Sequence, residues 1–239
     1  MDSIRCEDVF AGKLAEIIRE TFPGIIPPDS ALGFSGGIDS SLINFIAGNR
    51  LHPYNVSVPG SRDLSNATKV SERLGFKFTH IDPSGLDIKK YREMVREADP
   101  GISESDMGYE VVLAILLDSI DEEYLVTGQG SDELFYGYRR FIDNPDLTNE
   151  AHMKKLYSST LPREARLASI MGKKLVTPYL IPEILRVMEG AQREQNIRGN
   201  TNKLMLRQAA VCLGYPVDLA MIPKKAAQYG SGIQKLIRQ

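Results

Sequence analysis

The segment Ser35-Gly36-Gly37-Ile38-Asp39-Ser40-Ser41, entered from the short apolar run Ala31-Leu32-Gly33-Phe34, constrains this chain more than any other feature. A buried strand that runs into two glycines and then into hydroxyl residues at a helix start is built to receive an anion. The glycines let the backbone curl until several N–H groups converge, and the new helix adds its positive end. Ser35, Ser40 and Ser41 supply further donors, while the lack of a lysine after the glycines separates the segment from a Walker A loop. Asp39 sharpens the reading. A carboxylate beside a phosphate repels it unless a divalent cation sits between them, so the pairing implies Mg²⁺. A glycine turn with an Asp-Ser helix cap is the plain alternative, and the full heptapeptide behind a buried strand outweighs it.

Short apolar runs alternate with helical patterns through the rest of the first half. Residues 7–22 place Val9, Phe10, Leu14, Ile17 and Ile18 on one helical face, with Pro23-Gly24 as the stop. Residues 40–46, 64–74 (closed by Gly75) and 86–97 also read as helices, and 111–120, apolar on nearly every side, reads as a helix sandwiched inside the protein. Residues 55–58, 76–81 and 124–127 read as strands. The alternation predicts an α/β fold, a Rossmann-like parallel sheet sandwiched by helices. Beyond Asn149 the strand signal fades, and 151–157, 164–171, 181–188 and 202–213 read as a helical C-terminal layer. The expectation is one domain over 1–239, with a nucleotide-binding part at 1–148 and a helical part at 149–239. Ligands of such sheets bind beyond the carboxyl ends of the strands, where Ser35–Ser41 and a second glycine loop, Gly128–Glu133, both fall.

Composition narrows the partners. The 239 residues carry 29 basic and 31 acidic side chains, a formal charge of −2 that excludes a general nucleic-acid coat or a polybasic membrane binder. The longest apolar run, Val111 to Leu117, is far short of the roughly 20 residues a spanning helix needs. The N-terminus has no basic segment and no long apolar stretch, so no signal peptide is expected. Cys6 and Cys212 lie at opposite ends of the chain, which excludes a CxxC clip or a disulfide framework and points to a reducing, cytoplasmic setting. Three scattered histidines (52, 80, 152) are too few for a His/Cys zinc site.

Residues 35–40 match the Ser-Gly-Gly-x-Asp-Ser signature of the PP-loop ATP pyrophosphatases, which this chain therefore resembles. The later motifs select within that superfamily. Val56-Ser57-Val58-Pro59-Gly60-Ser61-Arg62-Asp63-Leu64 leads into a helix, and Thr127-Gly128-Gln129-Gly130-Ser131-Asp132-Glu133-Leu134-Phe135-Tyr136-Gly137-Tyr138 follows a strand. Lys203-Leu204-Met205-Leu206-Arg207 opens a late helix, and Pro223-Lys224-Lys225 comes near the end. In this order, from about Ala31 to Ile233, the set resembles the synthetase domain of asparagine synthetases and the related β-lactam synthetases.

The resemblance implies an adenine nucleotide α-hydrolase-like fold with ATP and Mg²⁺ bound between the two glycine loops. Phe34, Val56, Thr127 and Gly128 would line the adenosine, and Ser35, Gly36, Gly37, Asp39, Ser40 and Ser41 would hold the phosphates. Asp39 and Asp132 would hold Mg²⁺. A late lysine would contact the phosphates as pyrophosphate leaves; Lys224 aligns with it, Lys225 is the fallback, and Ile222 stands where the family has arginine. Gln129 occupies a position that is often Glu in asparagine synthetases, where it serves the aspartyl-adenylate. Glutamine keeps the hydrogen bonding and loses the charge, so aspartate is not assumed as substrate. Read without the resemblance, Asp132-Glu133 is helix N-terminal charge worth about 0.3–1 kcal/mol, and the lysine pair is a solvated surface feature. Lys203 and Arg207, one turn apart, face either an anion or water.

The implied activity is that of an ATP-dependent carbon–nitrogen ligase: a small carboxylate is adenylated, with release of pyrophosphate, and ammonia or an amine displaces AMP. Complete asparagine synthetases begin with a glutaminase domain whose nucleophile is a cysteine directly after the initiator methionine. Residue 2 here is Asp2, and about thirty residues precede the first strand. Nitrogen is therefore expected from free ammonia, an amine or a separate glutaminase chain; neither membrane nor nucleic acid is an expected partner, and a homodimer stays open. The alternatives are a regulatory ATP-binding module, an NAD synthetase or a tRNA-modifying enzyme. The two acidic loop residues and the late lysines disfavour the first, the Gly128–Tyr138 loop the second, and the lack of cysteine pairs or a basic appendage the third.

Overall fold

The computed structural model describes residues 8–48, 50–223 and 227–237. Its centre is a five-stranded sheet of β1 (Ala31–Gly33), β2 (His52–Val56), β3 (Thr79–Ile81), β4 (Tyr124–Val126) and β5 (Lys174–Val176), in the order β3-β2-β1-β4-β5. Every pair is parallel, with Leu32 beside Pro53 on one side and Val126 on the other. The helices are α1 (Val9–Ile25), α2 (Ile38–Ala47), α3 (Arg62–Leu74), α4 (Ile88–Ala98), α5 (Glu104–Ser119), α6 (Ser131–Leu134), α7 (Arg139–Asp143), α8 (Glu150–Lys155), α9 (Leu161–Ile170), α10 (Pro182–Glu189), α11 (Arg193–Asn196) and α12 (Leu204–Cys212), followed by shorter ones.

The parallel α/β sheet is the expected architecture, and two cores flank it. One gathers Leu14, Ile18 and Phe22 of α1, Leu42 and Ile43 of α2, Val70 of α3 and Leu206 and Ala209 of α12. The other gathers Val95 of α4, Val111, Ile115 and Leu117 of α5 and Leu167 of α9. α5 is buried along most of its length, as its all-round apolarity predicts, and Ser103 caps it by accepting from Asp106 N. No helix among the described residues is long and apolar enough to cross a membrane.

Several local expectations need correction. The helical C-terminal region also contains β5, a three-residue strand at the sheet edge that pairs only with β4. It is too short and too exposed to show a two-residue period. The last third also supplies both faces of the sheet, since α12 packs on α1 and α9 on α4 and α5. α1 runs through Pro23 to Ile25, because a proline in the last turn removes only one N–H, and the Phe22 carbonyl still accepts from Ile26 N at 3.0 Å. Val9, assigned to the apolar face, is exposed. β2 begins three residues earlier than expected and stops before Ser57, and β3 starts only at Thr79. Cys212 is disulfide-bonded, against the expectation that the two cysteines form no disulfide. Cys6 lies outside the described residues.

Candidate active site

β1 and β4 are neighbours whose connections leave in opposite directions, toward β2 and toward β5, so the crevice at their carboxyl ends is the topological switch point. Both glycine loops open there. In the first, Gly36 has φ +70°, and a Cβ on it would lie 2.3 Å from Ala67 N. The loop lies flat on α3, where only glycine fits. Ser35 Oγ accepts from Gly37 N and Ser40 Oγ from Ser35 N, both at 3.3 Å, so two hydroxyls hold the curl. α2 starts at Ile38 with Gly37 as a cap that offers no side chain, so its first-turn N–H groups point into the crevice. Asp39, Ser40 and Ser41 are all buried in that first turn.

Phe34 leaves β1 with its N–H donated to Tyr54 O and its carbonyl accepting from Asn55 Nδ2, each at 2.8 Å. Its ring packs edge-on against Phe76, with Phe78 beside it. Val56, at the end of the next strand, is buried. Thr127 is tied to Val176 O through its N–H.

The second loop touches the first. A Cβ on Gly128 would lie 2.9 Å from the Asp39 Cβ, and one on Gly137 would lie 2.0 Å from Asp132 Oδ1 and 2.2 Å from Lys203 Cε. Those two glycines make room for a contact of four residues. Lys203 Nζ sits 2.6 Å from Asp39 Oδ1, 2.7 Å from Asp132 Oδ1 and 2.9 Å from Ser131 Oγ. Lys203 is fully buried and holds φ +51°, an uncommon conformation for a residue with a side chain, as the cap of α12. The carbonyl of Asp39 accepts from the buried Tyr179 hydroxyl at 2.9 Å. Two carboxylates from separate loops therefore converge on one cation. They are hard oxygen donors of the kind Mg²⁺ takes, and the ammonium marks where a positive charge is satisfied between them. The donor set fits the ion.

The pairing of Lys203 with Arg207 dissolves in the fold. Lys203 enters the crevice, whereas Arg207 donates to Asn202 O at 2.8 Å, to Ile222 O at 3.3 Å and to Ala220 O. Arg207 clamps the chain just before Pro223-Lys224-Lys225; Lys224 and Lys225 lie outside the described residues. No spacing rule separates the two roles, since one helical turn joins them. Only the left-handed cap turns Lys203 inward.

Behind the second loop, Gln129 Nε2 donates to Glu164 Oε1 at 2.6 Å. Glu164, on α9, was read in the sequence only as part of a helix. It is buried, and burial together with the neighbouring Glu110 pushes its carboxyl well above the ordinary range. Glu133, read as helix N-terminal charge, does stand in the first turn of α6 and is buried there. It accepts from the Tyr138 hydroxyl, and burial beside Asp132 raises its pKa.

The family model described as asparagine synthase matches residues 30–166. A putative glutamine-hydrolyzing asparagine synthetase 1 of Methanocaldococcus jannaschii is 28% identical over 251 residues, which cover 85% of this chain and 46% of that protein. Asparagine synthetase domain-containing protein 1 of Mus musculus is 32% identical over 209 residues, covering 75% of this chain and 33% of that protein. The chain thus spans less than half the length of these curated relatives. Among solved structures, the NMN synthetase of Francisella tularensis aligns with a TM-score of 0.43 and 12% identity over 92% of this chain and 76% of that one. The sequence match spans more than half of the chain and includes both glycine loops, so the chain belongs to the asparagine synthase family.

Proposed function

We propose that this protein is an ATP-dependent carbon–nitrogen ligase that adenylates a small carboxylate and transfers ammonia or an amine to it. The observation that carries this reading is the meeting of Asp39 and Asp132, from two separate glycine loops, on one cation at the switch point of the sheet. Asp39 and Asp132 are the residues that would hold Mg²⁺, which when bound neutralises phosphate charge.

The chain's own groups divide the remaining work. The first-turn N–H groups of α2 receive phosphate oxygens, and Ser35 and Ser40 keep the loop curled around them. Phe34, Val56, Thr127 and Gly128 form the adenosine side. Lys203 adds a positive charge at the phosphate end, and Lys224 is the second lysine in this reading. The substrate carboxylate oxygen bonds to the α-phosphorus as the bond to pyrophosphate breaks. An amine nitrogen then bonds to the acyl carbon as the bond to AMP breaks. Preorganised donors aimed at the departing pyrophosphate lower that barrier without a protein nucleophile. Nitrogen comes from free ammonia, an amine or a separate glutaminase, as in relatives named glutamine-hydrolyzing.

One observation favours a second reading, a nucleotide-binding module without turnover: the Lys203 ammonium already neutralises both aspartates. Incubation with ATP, magnesium, ammonia and a panel of carboxylates separates the two. Acid-dependent AMP and pyrophosphate, lost in Asp39→Ala, are expected of the ligase. ATP binding with no AMP from any acid would leave the module.

A further inference from the structure

The strand beside the first glycine loop carries polar side chains where its burial favours apolar ones. β2 ends with Asn55 and Val56, and Ser57 follows; Asn55 is 1% exposed and Ser57 0%. Asparagine is depleted in strands, and a buried amide is stable there only when its donor and its acceptor are both met. Here both are. Asn55 Nδ2 donates to Phe34 O at 2.8 Å, and Asn55 Oδ1 accepts from the Ser57 hydroxyl at 2.5 Å. Phe34 O can only accept, so the amide presents its NH₂ to it and its oxygen to the hydroxyl. Ser57 is held in turn from β3: its N–H donates to Ile81 O at 3.1 Å, and His80 Nε2 stands 2.8 Å from its carbonyl oxygen.

The ladder between β1 and β2 includes His52 N to Ser30 O at 2.9 Å and Phe34 N to Tyr54 O at 2.8 Å. In a regular parallel pair the next bond runs from Val56 N to Phe34 O. Among the described residues that bond is not made, and the Asn55 amide takes the carbonyl. A side chain stands off the plane of its sheet, so it draws the carbonyl away from the ladder where the chain leaves β1 for Ser35 and Gly36. Gly36, with φ +70° and the backbone of α3 directly behind it, leaves the loop no slack to absorb a change of direction at Phe34.

We propose that Asn55 is a positioning residue for the nucleotide. Oriented by Ser57, it acts through the Phe34 main chain and sets the direction in which the first glycine loop leaves β1. It thereby fixes how the adenosine side and the phosphate-receiving turn of α2 stand to each other. The inference rests on the nucleotide reading of that loop.

The test uses the full chain and three variants. Asn55→Asp keeps the shape and the acceptor for Ser57, but its ionised form cannot donate to Phe34. Asn55→Ala removes both bonds, and Ser57→Ala removes only the group that orients the amide. Binding of a non-hydrolysable ATP analogue with magnesium is measured by calorimetry, and KM for ATP and for the acid by pyrophosphate release. In both Asn55 variants the analogue should bind about tenfold more weakly and KM for ATP should rise alike, with about threefold changes in Ser57→Ala. Both kcat and KM for the acid should stay near their wild-type values. An amide that only stabilises the fold would lower the unfolding midpoint and leave the affinity intact, or would move kcat and both KM values together. Either result overturns the inference. If the Asn55 variants do not fold, Ser57→Ala decides: weaker analogue binding upholds the inference, and unchanged binding ends it. Absence of pyrophosphate from every acid ends adenylation alone, and calorimetry then decides. A wild-type protein that binds no analogue removes the nucleotide reading and this inference together.

Discussion

Two buried cations, Lys203 and Arg163, meet two and three carboxylates respectively, and they do different work. Lys203 joins Asp39 and Asp132, which stand on loops at the ends of neighbouring strands. Around it Gly128 and Gly137 leave space that any Cβ would fill. Arg163 joins Asp99 at the end of α4, Glu110 inside α5 and its own helix α9, and its planar fork leaves no nitrogen unengaged. The first arrangement ends in a cleft beside an uncapped helix; the second lies among α4, α5 and α9. A buried cation among carboxylates therefore means different things, depending on whether the backbone nearby has been pared back to glycine.

The comparison breaks first at Arg163. Arg163→Ala strands Glu110 and Asp99 and should cost about 3–5 kcal/mol of stability by urea titration. An Arg163→Met/Glu110→Leu double variant should lose much less, since the pair is replaced by apolar packing. Equal losses would mean that the network is not the frame described. Asp39→Ala should instead lower acid-dependent pyrophosphate release by about 10²–10³-fold, and because Lys203 keeps Asp132 as a partner its cost in stability should stay below that of Arg163→Ala.

Gly137→Ala drives a methyl into Asp132 and Lys203. Displacing that contact by an ångström should slow turnover by about 10²-fold, and unchanged turnover would dissociate the contact from the chemistry. A smaller effect concerns pH. Burial holds the Glu110 carboxyl at about 7 in the fold, against 4.5 ordinarily. The folded protein thus keeps a proton that the unfolded chain has released, and stability should fall as pH rises from about 5 to 7. Glu110→Gln should flatten that slope. Smallest of all, Arg139→Ala, which removes an exposed pair with Asp143, should change stability by less than about 0.5 kcal/mol.

Both glycine loops and the strands that lead into them were legible in the sequence because each feature is local. An apolar run entering Gly-Gly, or Gly-x-Gly entering Asp-Glu, dictates its own turn whatever surrounds it. The parallel sheet followed from alternation alone. β5 escaped because three residues at an edge carry no period, and Glu164 escaped because a glutamate in a helix reads as solvated until α5 and the second loop close over it.

By itself, the sequence determined the anion-receiving turn, the alternation of strands and helices, and the presence of acidic residues in both glycine loops. Tertiary structure decided which charges meet: that Lys203 enters the crevice while Arg207 clamps backbone, and that Glu164 stands behind Gln129. The physical reason is range. Turns and helix caps are fixed by a few consecutive residues, whereas the state and partner of a buried charge depend on segments that only packing brings together.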